Sequence, residues 1–368
     1  MSESMTRVVE AIRAMERGEL VVVTDDDDRE NEGDLVLAAV HATPEKLAFI
    51  VRHTAGIVCA PMTREAARRL RLDPMVSEND APHSTAFTVS VDFRHGTTTG
   101  ISADDRCATV RGLANPNSGA EDFVRPGHVF PLIAREGGVL MRSGHTEAAV
   151  DLCRLAGLEP VGVICELVND DGTVKRGPQV SDFAREHGFR MVSVAELIAY
   201  RQRQEKLVER VEEAEIDTAG GRARAITYST PWDAMQHLAI VFGDIRDGED
   251  VPVRLHLEDV TRDVFGADRA IDRIIRDFGR LSRGVVVYLR EGSVGVQAGH
   301  SPRARDDIEE HHETAQGRKE QWREIGLGAQ ILRDLGVQSI RLYTSRPRTY
   351  VGLAGFDIEI AATEIIDR

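Results

Sequence analysis

The first half of the chain sets short apolar runs between helical stripes. Met5 to Arg17 carries Val8, Val9, Ile12 and Met15 at helical spacing, which predicts a helix. Two dense runs, Leu20–Thr24 and Asp34–Ala39, predict strands. Pro44 to His53 predicts a second helix, with Thr43 as its cap and Pro44 at its first position, where a missing N–H goes unused. Further strands are predicted over Gly56–Ala60, Phe87–Asp92 and Val161–Val168, and further helices over Thr63–Leu70, Ala103–Leu113 and Thr146–Ala156. Such mixing indicates an α/β (α+β) domain.

From Val194 to Glu215 the pattern becomes helical and charged, through Arg201-Gln202-Arg203-Gln204-Glu205-Lys206. A domain boundary is expected there, giving residues 1–203 and 204–368. Strand signals resume at Arg224–Tyr228, Leu238–Phe242, Pro252–Leu257, Gly284–Leu289 and Ser339–Thr344, with helices over Asp268–Phe278 and Trp322–Leu335. A length of 368 residues suits two domains, each again mixed α/β.

Composition narrows the function. A hydrophobic content of 42% supplies two cores. No apolar stretch approaches the ~20 residues that cross a bilayer, and Met1 to Arg7 lacks a signal core, so a soluble cytoplasmic protein with no membrane partner is expected. The net charge of −15, with no balancing basic patch, argues against nucleic acid as a partner. A few local Arg and His residues could still hold one phosphate. Cys59, Cys107, Cys153 and Cys165 form no C-x-x-C pair and read as reduced, buried thiols.

The chemistry concentrates at Asp25 to Asp34, where seven carboxylates and Arg29 occupy the connection between two predicted strands. Like charges held that close require something positive, and a divalent cation suits carboxylate oxygens. A solvated acidic loop is the plainer alternative, but Arg29 and Gly33 interrupt the run and strands pin its ends. No P-loop or G-x-G-x-x-G fingerprint occurs, the acidic run does not fit an EF-hand, and His311-His312-Glu313 lacks metalloprotease spacing and reads as a solvated helix face.

Four other segments look unlike packing material. Arg125-Pro126-Gly127-His128-Val129-Phe130-Pro131 suggests a stiff turn holding one histidine. Arg142-Ser143-Gly144-His145-Thr146-Glu147 is a Gly-containing turn at a helix start, where free N–H groups favour an anion. Thr97-Thr98-Thr99-Gly100 is a hydroxyl-rich turn, and Cys165-Glu166-Leu167 places a carboxylate in an apolar strand. Taken singly, His128 reads as a packed turn histidine, His145 as a helix-start residue, Glu166 as half of an ion pair, and the threonines as a helix cap.

Together these segments, D-x-x-x-R-E-N-E-G-D, T-T-G-x-S-A-x-D-R, R-P-G-H-V-F-P-L, the Gly144-His145-Thr146-Glu147 turn and C-E-L, resemble 3,4-dihydroxy-2-butanone 4-phosphate synthase over about Thr6 to Arg201. Ser143 stands where that family often has a second glycine, and His83 where some members carry Tyr. The resemblance implies conversion of ribulose 5-phosphate to 3,4-dihydroxy-2-butanone 4-phosphate and formate, through enediolate and diketone species and without an organic cofactor. It implies two divalent ions, Mg²⁺ or Mn²⁺, on Glu30 and His145, and a homodimer with the site near the subunit interface. It further implies that Arg29 and Asp34 contact the sugar, that Arg142, Ser143, Gly144 and Thr146 cradle phosphate and hydroxyls, and that His128 and Glu166 transfer protons. Thr98, Thr99, Glu32 and Cys59 are expected nearby.

From Leu207 the chain resembles GTP cyclohydrolase II. That family binds zinc through the cysteines of C-x-T-G-D-x-F-x-S-x-R-C-D-C, where this chain has Asp259, Ala270 and Asp272, and Glu291-Gly292-Ser293 replaces an E-G-R segment. Soft-metal sites rely on thiolates, so no zinc is expected and the domain reads as a non-catalytic helper. Two alternatives stay open. One is residual cyclohydrolase activity using Asp259, Asp272 and His256; the other is a regulatory protein that has lost catalysis.

Overall fold

The computed structural model describes residues 3–25, 30–81, 85–231, 233–265, 270–290, 326–344 and 358–366. They form two compact units, Met1–Tyr200 and Arg201–Arg368.

In the first unit the strands are β1 (Val21–Thr24), β2 (Gly33–Ala38), β3 (Cys59–Met62), β4 (Val91–Phe93), β5 (Phe123–Ile133), β6 (Gly162–Glu166) and β7 (Arg190–Ser193). They make one mixed sheet in the order β4-β5-β3-β6-β2-β1-β7. The helices are α1 (Glu3–Glu16), α2 (Pro44–His53), α3 (Arg64–Arg69), α4 (Ala103–Ala114), α5 (His145–Leu155), α6 (Pro178–His187) and α7 (Val194–Gln204).

Both faces of this sheet are covered, which explains why its central strands read as unbroken apolar runs. Leu35, Leu37, Val163 and Cys165 face a core with Leu47 and Ile50 of α2, Val110 and Leu113 of α4, and Phe183 of α6. Val36, Cys59 and Ile164 face the opposite core, with Val8 and Ile12 of α1, Ala148 and Leu152 of α5, and Leu197 of α7. Thr43 caps α2 by accepting from Lys46 N, as its position foretells, and Thr63 precedes α3 as its cap, accepting from Ala66 N.

Three stretches of the chain differ from the sequence reading. The segment Arg125–Pro131 is part of the eleven-residue strand β5, not an isolated turn. Its Pro131 pairs with Ala60 of β3, while the register against β4 jumps so that Val91 faces Val129 and Asp92 faces Val124. Residues 125–128 therefore bulge from the β4 side, and the bulge accommodates Pro126. Second, α6 and β7 lie in a stretch whose periodicity is masked by charged residues. Third, the charged tract after Val194 is helical only to Gln204; Glu209–Thr218 is a strand.

That strand, β8, opens the second unit. It is followed by β9 (Gly221–Thr230), β10 (Asp233–Gly243), β11 (Val251–Leu257), α8 (Val260–Phe265), α9 (Ala270–Leu281), β12 (Arg283–Leu289), α10 (Gly328–Asp334), β13 (Ser339–Thr344) and β14 (Glu359–Ile365). The sheet order is β14-β13-β11-β12-β10-β9-β8. One face packs on Ala329, Ile331 and Leu332 of α10, the other on Ile274 and Phe278 of α9. Residues 322–325 of the expected helix lie outside the described residues.

Candidate active site

β2 and β6 run antiparallel with Asp34 directly opposite Glu166. Opposed residues share a sheet face, and like charges so placed repel. Asp34 is 2% exposed, and its Oδ1 accepts no hydrogen bond. Burial, reinforced by the charges of Glu166, Glu30 and Asp25 and opposed by His145, pushes the Asp34 carboxyl up to about 7. Burial also raises Glu166.

The imidazole of His145 meets this group from α5. Gly144, in extended conformation, is the N-cap, so His145 opens the helix and carries its side chain to the acidic cluster. His145 Nδ1 lies 3.7 Å from Glu30 Oε2 and 3.8 Å from Asp34 Oδ1. Asp25 shapes the loop between β1 and β2: its carboxylate accepts from Glu32 N at 2.9 Å and Glu30 N at 3.2 Å. Among the described residues, Asp25, Glu30 and His145 form a group able to hold a metal ion, with ligand atoms within 4.8 Å of one another. Two oxygen donors, one imidazole and the orphaned Asp34 Oδ1 fit a hard or borderline divalent cation.

Arg142 stands just before α5. Its guanidinium donates to Glu147 Oε2 at 2.6 Å and to Thr85 Oγ1 at 2.9 Å, while Glu147 Oε1 accepts Arg135 N. Glu147 is 1% exposed, so the first turn of α5 and the Arg142 turn are locked by a buried charge pair. Ser143, Gly144 and Thr146 follow on the same turn.

The other expected residues divide. His128 lies on β5, with its Nδ1 2.7 Å from Asp92 Oδ2 and its backbone N–H donating to Asp92 Oδ1 at 2.8 Å. Among the described residues its polar contacts are with Asp92, and none reaches Glu30, His145 or Glu166. Thr98 is occupied within its own loop: its N–H and hydroxyl, with the N–H of Gly100, donate to Asp105. These bonds tie the threonine turn to the first turn of α4, whose N-cap is Ser102, not a threonine of the run. Glu32 pairs with Arg176 at 3.2 Å. Cys59 is buried, and burial raises its thiol well above the ordinary range. Arg29 and His83 lie outside the described residues.

Sequence reasoning assigned no role to Asp25, Asp105 or Glu147, which stand inside its motifs, and did not single out Asp92. Each is a nearly buried or internally bonded carboxylate, and the signal for each was its position: Asp92 ends an alternating strand, and Asp105 and Glu147 stand three residues beyond a helix cap.

In the second unit, His256 Nε2 is 2.9 Å from Asp263 Oδ1, Tyr288 Oη donates to Asp263 Oδ2 at 2.7 Å, and Asp259 N–H donates to the same oxygen at 2.9 Å. Asp259 Oδ1 accepts Arg262 N at 3.1 Å. The His256 hydrogen bond and charge hold Asp263 below its ordinary range despite its burial. Glu291-Gly292-Ser293 and His311-His312-Glu313 lie outside the described residues.

The family model for 3,4-dihydroxy-2-butanone 4-phosphate synthase matches residues 9–200, and that for GTP cyclohydrolase II matches residues 209–365. The chain is 50% identical over 369 residues to the bifunctional riboflavin biosynthesis protein RIBA 1, chloroplastic, of Arabidopsis thaliana, covering 96% of this chain and 67% of that protein. It is similar to the crystal structure of RibBX, a two-domain 3,4-dihydroxy-2-butanone 4-phosphate synthase from A. baumannii, with a TM-score of 0.80, 36% identity and 98% of both chains covered. A crystal structure of 3,4-dihydroxy-2-butanone 4-phosphate synthase with two magnesium ions matches with a TM-score of 0.52 and 46% identity, over 54% of this chain and 97% of that one. Among the described residues no helix is long and apolar enough to cross a membrane.

Proposed function

The chain belongs to the 3,4-dihydroxy-2-butanone 4-phosphate synthase family, with a GTP cyclohydrolase II-like second half, and from that premise we propose the residues that carry the synthase reaction here. The substrate is ribulose 5-phosphate and the products are 3,4-dihydroxy-2-butanone 4-phosphate and formate. The observation that carries this reading is the convergence of Asp25, Glu30 and His145 beside the buried Asp34 and the half-buried Glu166 opposite it.

Glu30 and His145 would hold two divalent ions, Mg²⁺ or Mn²⁺, with Asp25 as a further oxygen donor. Such ions supply Lewis acidity where charge builds on adjacent sugar oxygens. The chain does the rest. Arg142, Ser143, Gly144 and Thr146 present donors at the start of α5 to the phosphate and hydroxyls. Arg29 and Asp34 contact the sugar. Glu166, raised by burial, keeps its proton further toward neutral pH and gives or takes it at the sugar. His128 exchanges the second proton. Its bonds within the chain run to Asp92, so a cytosolic homodimer that presents His128 to the partner's cluster accounts for its role.

The second half reads as a non-catalytic helper. Aspartates and an alanine replace the thiolates, and Asp259 is bonded to its own helix start. The bifunctional plant relative supports the second reading, in which cyclohydrolase activity persists. One set of assays decides both. Purified protein given ribulose 5-phosphate should release formate with Mg²⁺ and stop with EDTA, and given GTP and Zn²⁺ should release none. Formate from GTP would establish the bifunctional reading; none from either substrate would establish a regulatory protein.

A further inference from the structure

We propose that Asp92 is the positioning residue of His128, fixing which ring nitrogen faces the substrate; this rests on the proton-transfer reading of His128. Asp92 is 6% exposed, while the His128 side chain is 43% exposed. One carboxylate oxygen takes the ring Nδ1 and the other takes the backbone N–H of the same residue, at 2.7 and 2.8 Å. An ionised carboxylate only accepts, so Nδ1 carries the proton and the lone pair of Nε2 points away from Asp92.

The surroundings are built for this contact. The register jump between Val91 and Asp92 turns the carboxylate toward the bulged segment that bears His128. Gly127 leaves no room for a side chain, since a Cβ there would lie 2.0 Å from the Val91 carbonyl carbon. Gly100 closes the other side in the left-handed region, at φ +86°, where a Cβ would lie 1.9 Å from Asp92 Oδ2. Arg106 is 6% exposed, donates to Gly56 O at 3.0 Å, and places its charge in the field of Asp92.

A purely structural role is separable. In Asp92→Asn the amide oxygen still accepts the backbone N–H of His128, but the amide nitrogen now faces Nδ1 and donates. The ring must then carry its proton on Nε2, which is the wrong tautomer for a base. We expect kcat for formate release to fall about 10²- to 10⁴-fold with KM changed by less than about threefold and the melting temperature nearly kept. Imidazole ¹⁵N spectra, assigned with His128→Ala, should show Nε2 moving from unprotonated to protonated. The double variant should be no slower than His128→Ala alone. Unchanged kcat and tautomer in Asp92→Asn, or additive losses in the double variant, would overturn the inference. Wild-type activity in His128→Ala would instead sink the proton-transfer reading, and the ¹⁵N signal would still decide what Asp92 does.

Discussion

Asp34 shows how a single residue can encode both a cost and a use. The folded chain holds its carboxyl protonated up to about 7, whereas the unfolded chain ionises it near 3.8. The folded state thus binds more protons between those values, and this group's contribution to stability falls as pH rises through that window. A divalent cation among Asp25, Glu30 and His145 reverses the sign, because it rewards ionisation. The melting temperature gained on adding Mn²⁺ should therefore be larger at pH 7.5 than at pH 5.5, and Asp34→Asn should raise the metal-free melting temperature at pH 7.5. Equal gains at both pH values would speak against the cluster as the metal's seat. At this scale the sequence motifs pointed to Glu30, His145, His128 and Glu166; the fold places His145 beside Glu30 and sets Glu166 opposite Asp34, while His128 bonds to Asp92. Asp25 was visible only as the first of four identical aspartates, with no role of its own, and Asp92 was not visible, because it sits at a register jump that no local pattern records.

At the scale of elements, α5 aims the site and the Arg142–Glu147 pair holds its first turn. The side chains are 15% and 1% exposed, so removing the arginine strands a buried carboxylate. Arg142→Ala should cost about 3 kcal/mol in urea unfolding and also weaken ribulose 5-phosphate binding. A loss below about 0.5 kcal/mol would show that the pair does not anchor the turn. Most elements were readable from periodicity; Pro44–His53 and Ser339–Thr344 have the bounds that the sequence predicts. The misreadings have local causes. Two prolines and a glycine punctuate β5, yet its pairing with β3 on one side and a bulge on the other absorb them. β8 is an edge strand whose residues are mostly exposed, so no buried face imposes an alternating pattern, and its charges guard the edge.

At the scale of the whole molecule, the described residues form two units, and every residue assigned to the synthase reaction falls in the first. A chain ending after Gln204 should keep most of its formate release. Loss of activity in a truncated protein that still melts cooperatively would give the second unit a part in catalysis. The two-unit architecture was legible because apolar runs restart after the charged tract; the role of the second unit was less so, since its framework persists where the cysteines do not. Glu30 and His145, distant in sequence, are proposed to act on one substrate. The most direct test is Mn²⁺ titration, followed by electron paramagnetic resonance with ribulose 5-phosphate present, of the wild type, Glu30→Ala and His145→Ala. The account predicts two bound ions in the wild type and the loss of at least one, together with formate release, in each variant. Either variant binding both ions and turning over at the wild-type rate would contradict it.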